Sequence, residues 1–189
     1  MNLQSNDFEL FGIPVRFAQE RAILDARWKT LQREAHPDKF SGHGAAAQRV
    51  AMQWSVRINE AYQRLKDPLR RAAYLCELNG VPVNAENNTA MPAEFLMQQM
   101  AWRESLDEAV NPAELDQISA EVASAQREAL QRCEQLLDVE HNYVQAVQQV
   151  RALMFIERFA SDIEDRLEAG DQSNSHAGSS PSGTPRRGQ

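Results

Sequence analysis

The sequence predicts an all-α protein built from two helical modules, and three observations carry that expectation. Of eight glycines in 189 residues, four lie in the last twenty, and a chain otherwise poor in glycine suits long helices rather than β-hairpins. Apolar residues recur at three- and four-residue intervals over long stretches. Pro, Gly and Asn stand between those stretches, where helices stop.

The elements follow in order. Phe8, Leu10 and Phe11 precede Gly12 and Pro14, so the first is a short helical turn. From Gln19 to Ala35, Leu24, Trp28, Leu31 and Ala35 fall within about 60° of arc, with Lys29 and Arg33 opposite and Arg27 at the edge of that basic face. Pro37 lacks an N–H and excludes His36 from the α region, so HPDKFSGHG is expected to be a loop. A second long helix over Ala45–Lys66 turns Ala51, Trp54, Ile58, Ala61, Tyr62 and Leu65 inward, making an antiparallel hairpin. Asp67 caps a helix that starts with Pro68 and ends near Asn79-Gly80.

Residues 79–92, NGVPVNAENNTAMP, read as a linker. Three more helices follow, over about 92–110, 113–137 and 140–167. Their inward residues include Leu115, Ile118, Val122, Ala125, Ala129 and Leu136, then Tyr143, Val147, Val150, Met154, Phe155, Phe159 and Ile163. Residues 170–189 hold no core-forming residue and are expected to be a disordered tail. The expected domains are thus 1–78 and 92–169, joined by 79–91.

The first of the three helices, FLMQQMAWRESLDE, has two apolar faces. Phe95, Trp102, Leu106 and Ala109 make a docking stripe. Leu96, Met97 and Met100 point about 140° away, and Glu104, Asp107 and Glu108 continue that second face. An apolar patch edged by carboxylates on a soluble helix is a candidate docking surface.

Charge divides the same way. Residues 1–79 hold 12 Lys and Arg against 9 Asp and Glu; residues 80–169 hold 6 against 17. A basic front and an acidic back suit two different partners. No apolar run approaches the roughly 20 residues of a membrane span. The N-terminus lacks a secretion signal, and Cys76 and Cys133 lie far apart in sequence, so a reducing, cytoplasmic compartment is expected. His36 and Asp38 could form an acid–base pair, but no nucleophile pattern, phosphate loop or metal-ligand spacing accompanies them. No enzyme, no cofactor, no metal site and no nucleic-acid partner is expected.

His36-Pro37-Asp38 sits after a helix with a basic face and before a helix ending INEAYQRLKDPLRRAAY. Together with FELFGIP and HPDKF, in this order and spacing, these segments resemble the J-domain of DnaJ-type co-chaperones over residues 1 to about 76. The resemblance implies a surface of His36, Pro37, Asp38, Arg27, Lys29, Arg33 and Lys39 that docks on a chaperone ATPase and stimulates it. Physically, Pro37 limits the ordering cost of the loop, Asp38 suits an arginine of the partner, and the cations set encounter rate and orientation. Ala35 stands where J-domains often have Tyr.

No Gly/Phe-rich segment or zinc repeat follows. A J-domain, a linker and an acidic three-helix bundle, with EFLMQQMAWRESLDE and RALMFIERF in the bundle, resemble the HscB family of iron–sulfur co-chaperones. That family implies an L-shaped bacterial monomer that brings the scaffold IscU to the chaperone HscA. The scaffold-binding residues would be Leu96, Met97, Met100, Glu104, Glu108 and Phe155; Ala101 stands where the family tends to carry an acid. The alternatives are a general J-domain holdase for unfolded chains and an iron–sulfur carrier.

Overall fold

A computed structural model describes residues 4–84 and 93–177, and its described residues form helices without strands. Contacts divide the chain into two compact units, Met1–Met91 with Glu128–Met154, and Pro92–Arg127 with Phe155–Gln189.

In the first unit, α1 (Asp7–Phe11) begins at a reciprocal cap in which Asn6 and Glu9 each accept the other's backbone N–H, and Gly12 ends it at φ 61°. Helix α2 spans Arg21–Glu34, a 3₁₀ helix Pro37–His43, α3 Ala45–Lys66 and α4 Pro68–Leu78. The expected loop after α2 is therefore a 3₁₀ helix, because Pro37 at its first position carries the backbone angle that starts a helix. Asp67 caps α4 by accepting the N–H of Arg70 at 3.0 Å.

The core gathers Phe8, Phe11, Leu24, Ile58, Ala61, Leu65, Ala72 and Leu75, all nearly inaccessible. Phe8 stacks on Tyr74 and Trp28 on Tyr62, at ring separations of 5.9 and 4.9 Å. Asp7 is buried beside Phe8 and is neutralised by Arg57 at 2.6 Å and Arg64 at 3.0 Å.

Two later helices also contribute to this unit: α6 (Pro112–Glu134), which runs into a π-helical turn over Gln135–Val139, and α7 (Tyr143–Ala177). The π turn closes with the Glu140 N–H donating to the Gln135 carbonyl and that of Asn142 to Leu136, around His141 at φ 49°. Leu136 and Leu137 both enter the core, beside Cys133, Ala146, Val147 and Val150. Arg71 is buried, donates to the carbonyls of Phe17 and Leu65, and lies over the Phe17 ring at 5.0 Å.

The second unit packs α5 (Ala93–Glu108) with parts of α6 and α7. Trp102 stacks on Phe159 at 5.8 Å, and Leu115, Ile118, Val122 and Ile163 fill the same core. Arg166 donates to the carbonyls of Leu106 and Ala109 (to Ala109 at 3.1 Å), satisfying the end of α5. Asn111 caps α6 by accepting the Glu114 N–H at 3.0 Å.

Two further expectations need correction. Helix α7 continues to Ala177, into the segment read as a structureless tail, since no proline interrupts it and one glycine costs only about 1 kcal/mol. Residues 178–189 lie outside the described residues. Met154, read as inward, is 39% exposed, because Leu153 and Ile156 occupy the inward positions. Over so long a helix, small drifts of the apolar stripe displace it by one residue.

Candidate functional site

Each unit carries one surface of interest. In the first, α2 is fastened to α3 on one side only. Trp28 Nε1 donates to Asn59 Oδ1 at 2.9 Å, and Gln32 Nε2 donates to the same oxygen at 2.7 Å and to the Ser55 carbonyl at 3.1 Å. Asp25 accepts from the Tyr62 hydroxyl at 2.6 Å and from Arg21 Nε at 2.8 Å. The Tyr62 hydrogen bond, with Arg21, lowers the Asp25 pKa, and the same bond raises that of Tyr62. These contacts hold the apolar and aromatic side inward. Arg27, Lys29 and Arg33 are left exposed on the other side.

The turn after α2 presents His36, Asp38 and Lys39 to solvent, with Pro37 half-buried between them. His36 Nδ1 accepts the Asp38 N–H at 3.3 Å and lies 3.5 Å from Asp38 Oδ2. The Lys39 N–H donates to the His36 carbonyl at 3.0 Å. Two polar heads are thus locked side by side on a stiff, exposed corner beside a row of cations. Such a corner suits recognition of a charged protein surface. Among the described residues no group of three or more His, Cys, Asp and Glu side chains is placed to hold a metal ion. Cys76 and Cys133 are buried, and burial pushes their thiols up to about 11 and about 12.

In the second unit, the docking stripe of α5 is held by Trp102 and Ala109, both buried. Its other face is open: Leu96, Met97 and Met100 are 45%, 72% and 71% exposed, and Ala101, Glu104 and Glu108 are exposed as well. Phe155 is half-buried on α7. Phe95, one residue before Leu96, meets its ring edge-on at 5.8 Å, and Phe159 stacks beneath it at 6.0 Å. Phe155 thereby stands beside the first turn of α5.

One neighbour of Phe155 was not legible in the sequence. The Arg103 guanidinium lies over the Phe155 ring at 5.6 Å. It lines a groove of about 410 Å³ with Asp107, Phe155, Arg158 and Asp162. Nothing in the spacing of Arg103 distinguishes it from a solvated helix charge; only the approach of α7 singles it out.

Residues 91–164 match the family model described as "HSCB C-terminal oligomerisation domain". The co-chaperone protein HscB homolog of Burkholderia multivorans is 47% identical over 171 residues, covering 89% of this chain and 97% of the relative. That of Bordetella petrii is 46% identical over 164 residues, covering 86% and 96%. Among solved structures, the chaperone HscB from Vibrio cholerae superposes with a TM-score of 0.75 at 34% identity, over 89% of this chain and 99% of that one. The human co-chaperone protein HscB gives a TM-score of 0.79 at 26% identity, over 90% and 84%. An HPD corner beside a basic helix face, an open acid-edged apolar face on α5, and likeness to these relatives along nearly their whole length lead to one conclusion: the chain belongs to the HscB family of co-chaperones.

Proposed function

We propose that this co-chaperone binds an IscU-type iron–sulfur scaffold, delivers it to an HscA-type chaperone ATPase and stimulates ATP hydrolysis there. Leu96, Met97, Met100, Glu104, Glu108 and Phe155 are the scaffold-binding residues. His36, Pro37 and Asp38, with Arg27, Lys29, Arg33 and Lys39, engage the ATPase. The observation that carries the reading is the exposure of Leu96, Met97 and Met100 on α5, where Trp102 is buried and Phe95 and Leu106 are half-buried.

The magnitudes suit a hand-over. Burying four such side chains contributes roughly 6–12 kcal/mol at about 1.5–3 kcal/mol each. Association costs of about 4–15 kcal/mol offset much of that, leaving modest affinity. Methionine adapts to a mobile partner, and the flanking carboxylates favour a basic one.

The test is steady-state ATP turnover by the chaperone with the chain alone, the scaffold alone and both. The proposal expects stimulation by the chain and a further, synergistic rise with scaffold. A chain that binds extended peptides as well as folded scaffold would instead fit a general holdase.

A further inference from the structure

The half-buried ring of Phe155 meets α5 at two places. Phe95 touches it edge-on at 5.8 Å, and Arg103, two turns further along the same helix, lies over it at 5.6 Å. Two turns of α-helix rise about 11 Å, so the Arg103 side chain must reach back toward the start of α5. Helical side chains lean in that direction. Phe159 supports the ring from its own helix at 6.0 Å. The ring is thus held by an edge, a stack and a cation.

By charge, Arg103 is out of place. At 100° per residue it falls within about 60° of Leu96, Asp107 and Met100, inside the exposed sector of α5, with Glu104 next in the chain. Exposed Leu and Met edged by carboxylates favour a basic partner, and a bare cation among them repels it. Asp107 and Asp162 line the same groove, yet among the described residues no ion pair engages Arg103. Its guanidinium is seated on the ring instead.

We infer that Arg103 is a positioning residue of the scaffold-binding surface: seated on Phe155, it holds that ring half out of the core and keeps its own charge off a basic partner. The inference rests on the proposed function and adds to it a residue that acts through another. A ring already fixed loses less freedom when a partner closes on it.

The test is calorimetry of folded scaffold with the full chain and with Arg103→Met, Arg103→Lys and Arg158→Met, and with Arg103→Met added to Phe155→Leu. Arg103 is exposed, and melting temperatures check that each variant is folded. Cation–π contacts at exposed sites correspond to about a two- to fivefold change in an equilibrium constant, and Arg103→Met is expected to raise Kd by that much. Arg103→Lys, which keeps the cation, is expected to recover most of the loss. Arg158→Met, at the other cation of the groove, is expected to change Kd less. On the Phe155→Leu background, Arg103→Met is expected to cause no further loss. In the free chain, ring-current shifts of the Arg103 δ-methylene protons, absent in Phe155→Leu, report the contact itself; their absence from the unaltered chain overturns the inference. So does Arg103→Met that binds as tightly as the unaltered chain or more tightly. An equal loss on the Phe155→Leu background overturns it by making Arg103 a direct contact, and an equal loss in Arg158→Met by making the effect one of overall charge. An unaltered chain that fails to bind folded scaffold overturns the functional reading and this inference with it; binding by the unaltered chain that Arg103→Met leaves unchanged overturns the inference alone.

Discussion

The carboxylate of Asp138 holds the backbone at Phe17: Oδ1 accepts the Phe17 N–H at 2.6 Å, and Oδ2 accepts the Ala18 N–H at 2.8 Å. One side chain on the π turn thus satisfies two donors in the segment between α1 and α2, about 120 positions away. Hydrogen bonds to charged groups contribute about 1.5–3 kcal/mol, and their loss here orphans two N–H groups. Asp138→Ala is expected to lower unfolding free energy by about 2–4 kcal/mol, measured by urea denaturation. Asp138→Asn, which keeps one acceptor, is expected to fall between the two.

The thiols give a pH dependence with a definite sign. Burial raises Cys76 to about 11 and Cys133 to about 12 from an ordinary 9.0. Unfolding therefore releases protons above pH 9.0, and the folded state loses stability as pH rises through and beyond that value. Below it, both thiols are protonated in either state and contribute no pH dependence. Urea midpoints measured between pH 7 and pH 10 are expected to decline at the alkaline end in the unaltered chain. The decline is expected to flatten in Cys133→Ala, after allowance for the cavity that variant leaves. A disulfide-forming reagent at neutral pH is expected to label neither thiol until the protein unfolds.

Asp38→Ala is expected to abolish ATPase stimulation by removing an exposed carboxylate of the corner, with scaffold affinity unchanged by calorimetry. Losing one partner of a charge pair that closes on binding costs about 2–5 kcal/mol, enough to suppress stimulation below detection at ordinary concentrations.

Met97→Ala with Phe155→Ala is expected to do the reverse. Met97 is 72% exposed, so its loss hardly affects the fold, whereas Phe155 also touches Phe95 and Phe159 and costs some stability. Scaffold affinity is expected to fall by about 2–4 kcal/mol, roughly 30- to 1000-fold, while stimulation measured without scaffold persists. Calorimetry with folded scaffold checks the first, and ATP turnover the second.

Much of the architecture was legible because the chain marks its boundaries with residues of fixed chemistry. Asp67 and Pro68 start α4, Gly12 ends α1, and α3 runs over Ala45–Lys66 as its apolar spacing indicates. The exposed face of α5 was legible for a similar reason: two apolar sectors far apart on one helix cannot both face one core. What escaped was set by tertiary partners. Asp7, Arg71 and Arg151 are buried charges that no spacing in the sequence singles out, each held by groups distant in sequence; Arg151, for example, donates to the Val83 carbonyl at 2.6 and 3.0 Å. The π turn at Gln135–Val139 has no sequence signature; within the first unit its Leu136 and Leu137 are buried and its Asp138 holds the backbone at Phe17 and Ala18. Arg103 belongs with these, since its role beside Phe155 depends on where α7 passes.

The central claim is that two separate docking surfaces act together because one chain carries both. It is tested most directly by measuring chaperone ATP turnover with scaffold present, using Asp38→Ala, the Met97→Ala/Phe155→Ala variant and an equimolar mixture of the two. The account predicts that neither variant supports the synergistic rate and that the mixture does not restore it. Full synergy from the mixture would contradict delivery by a single chain.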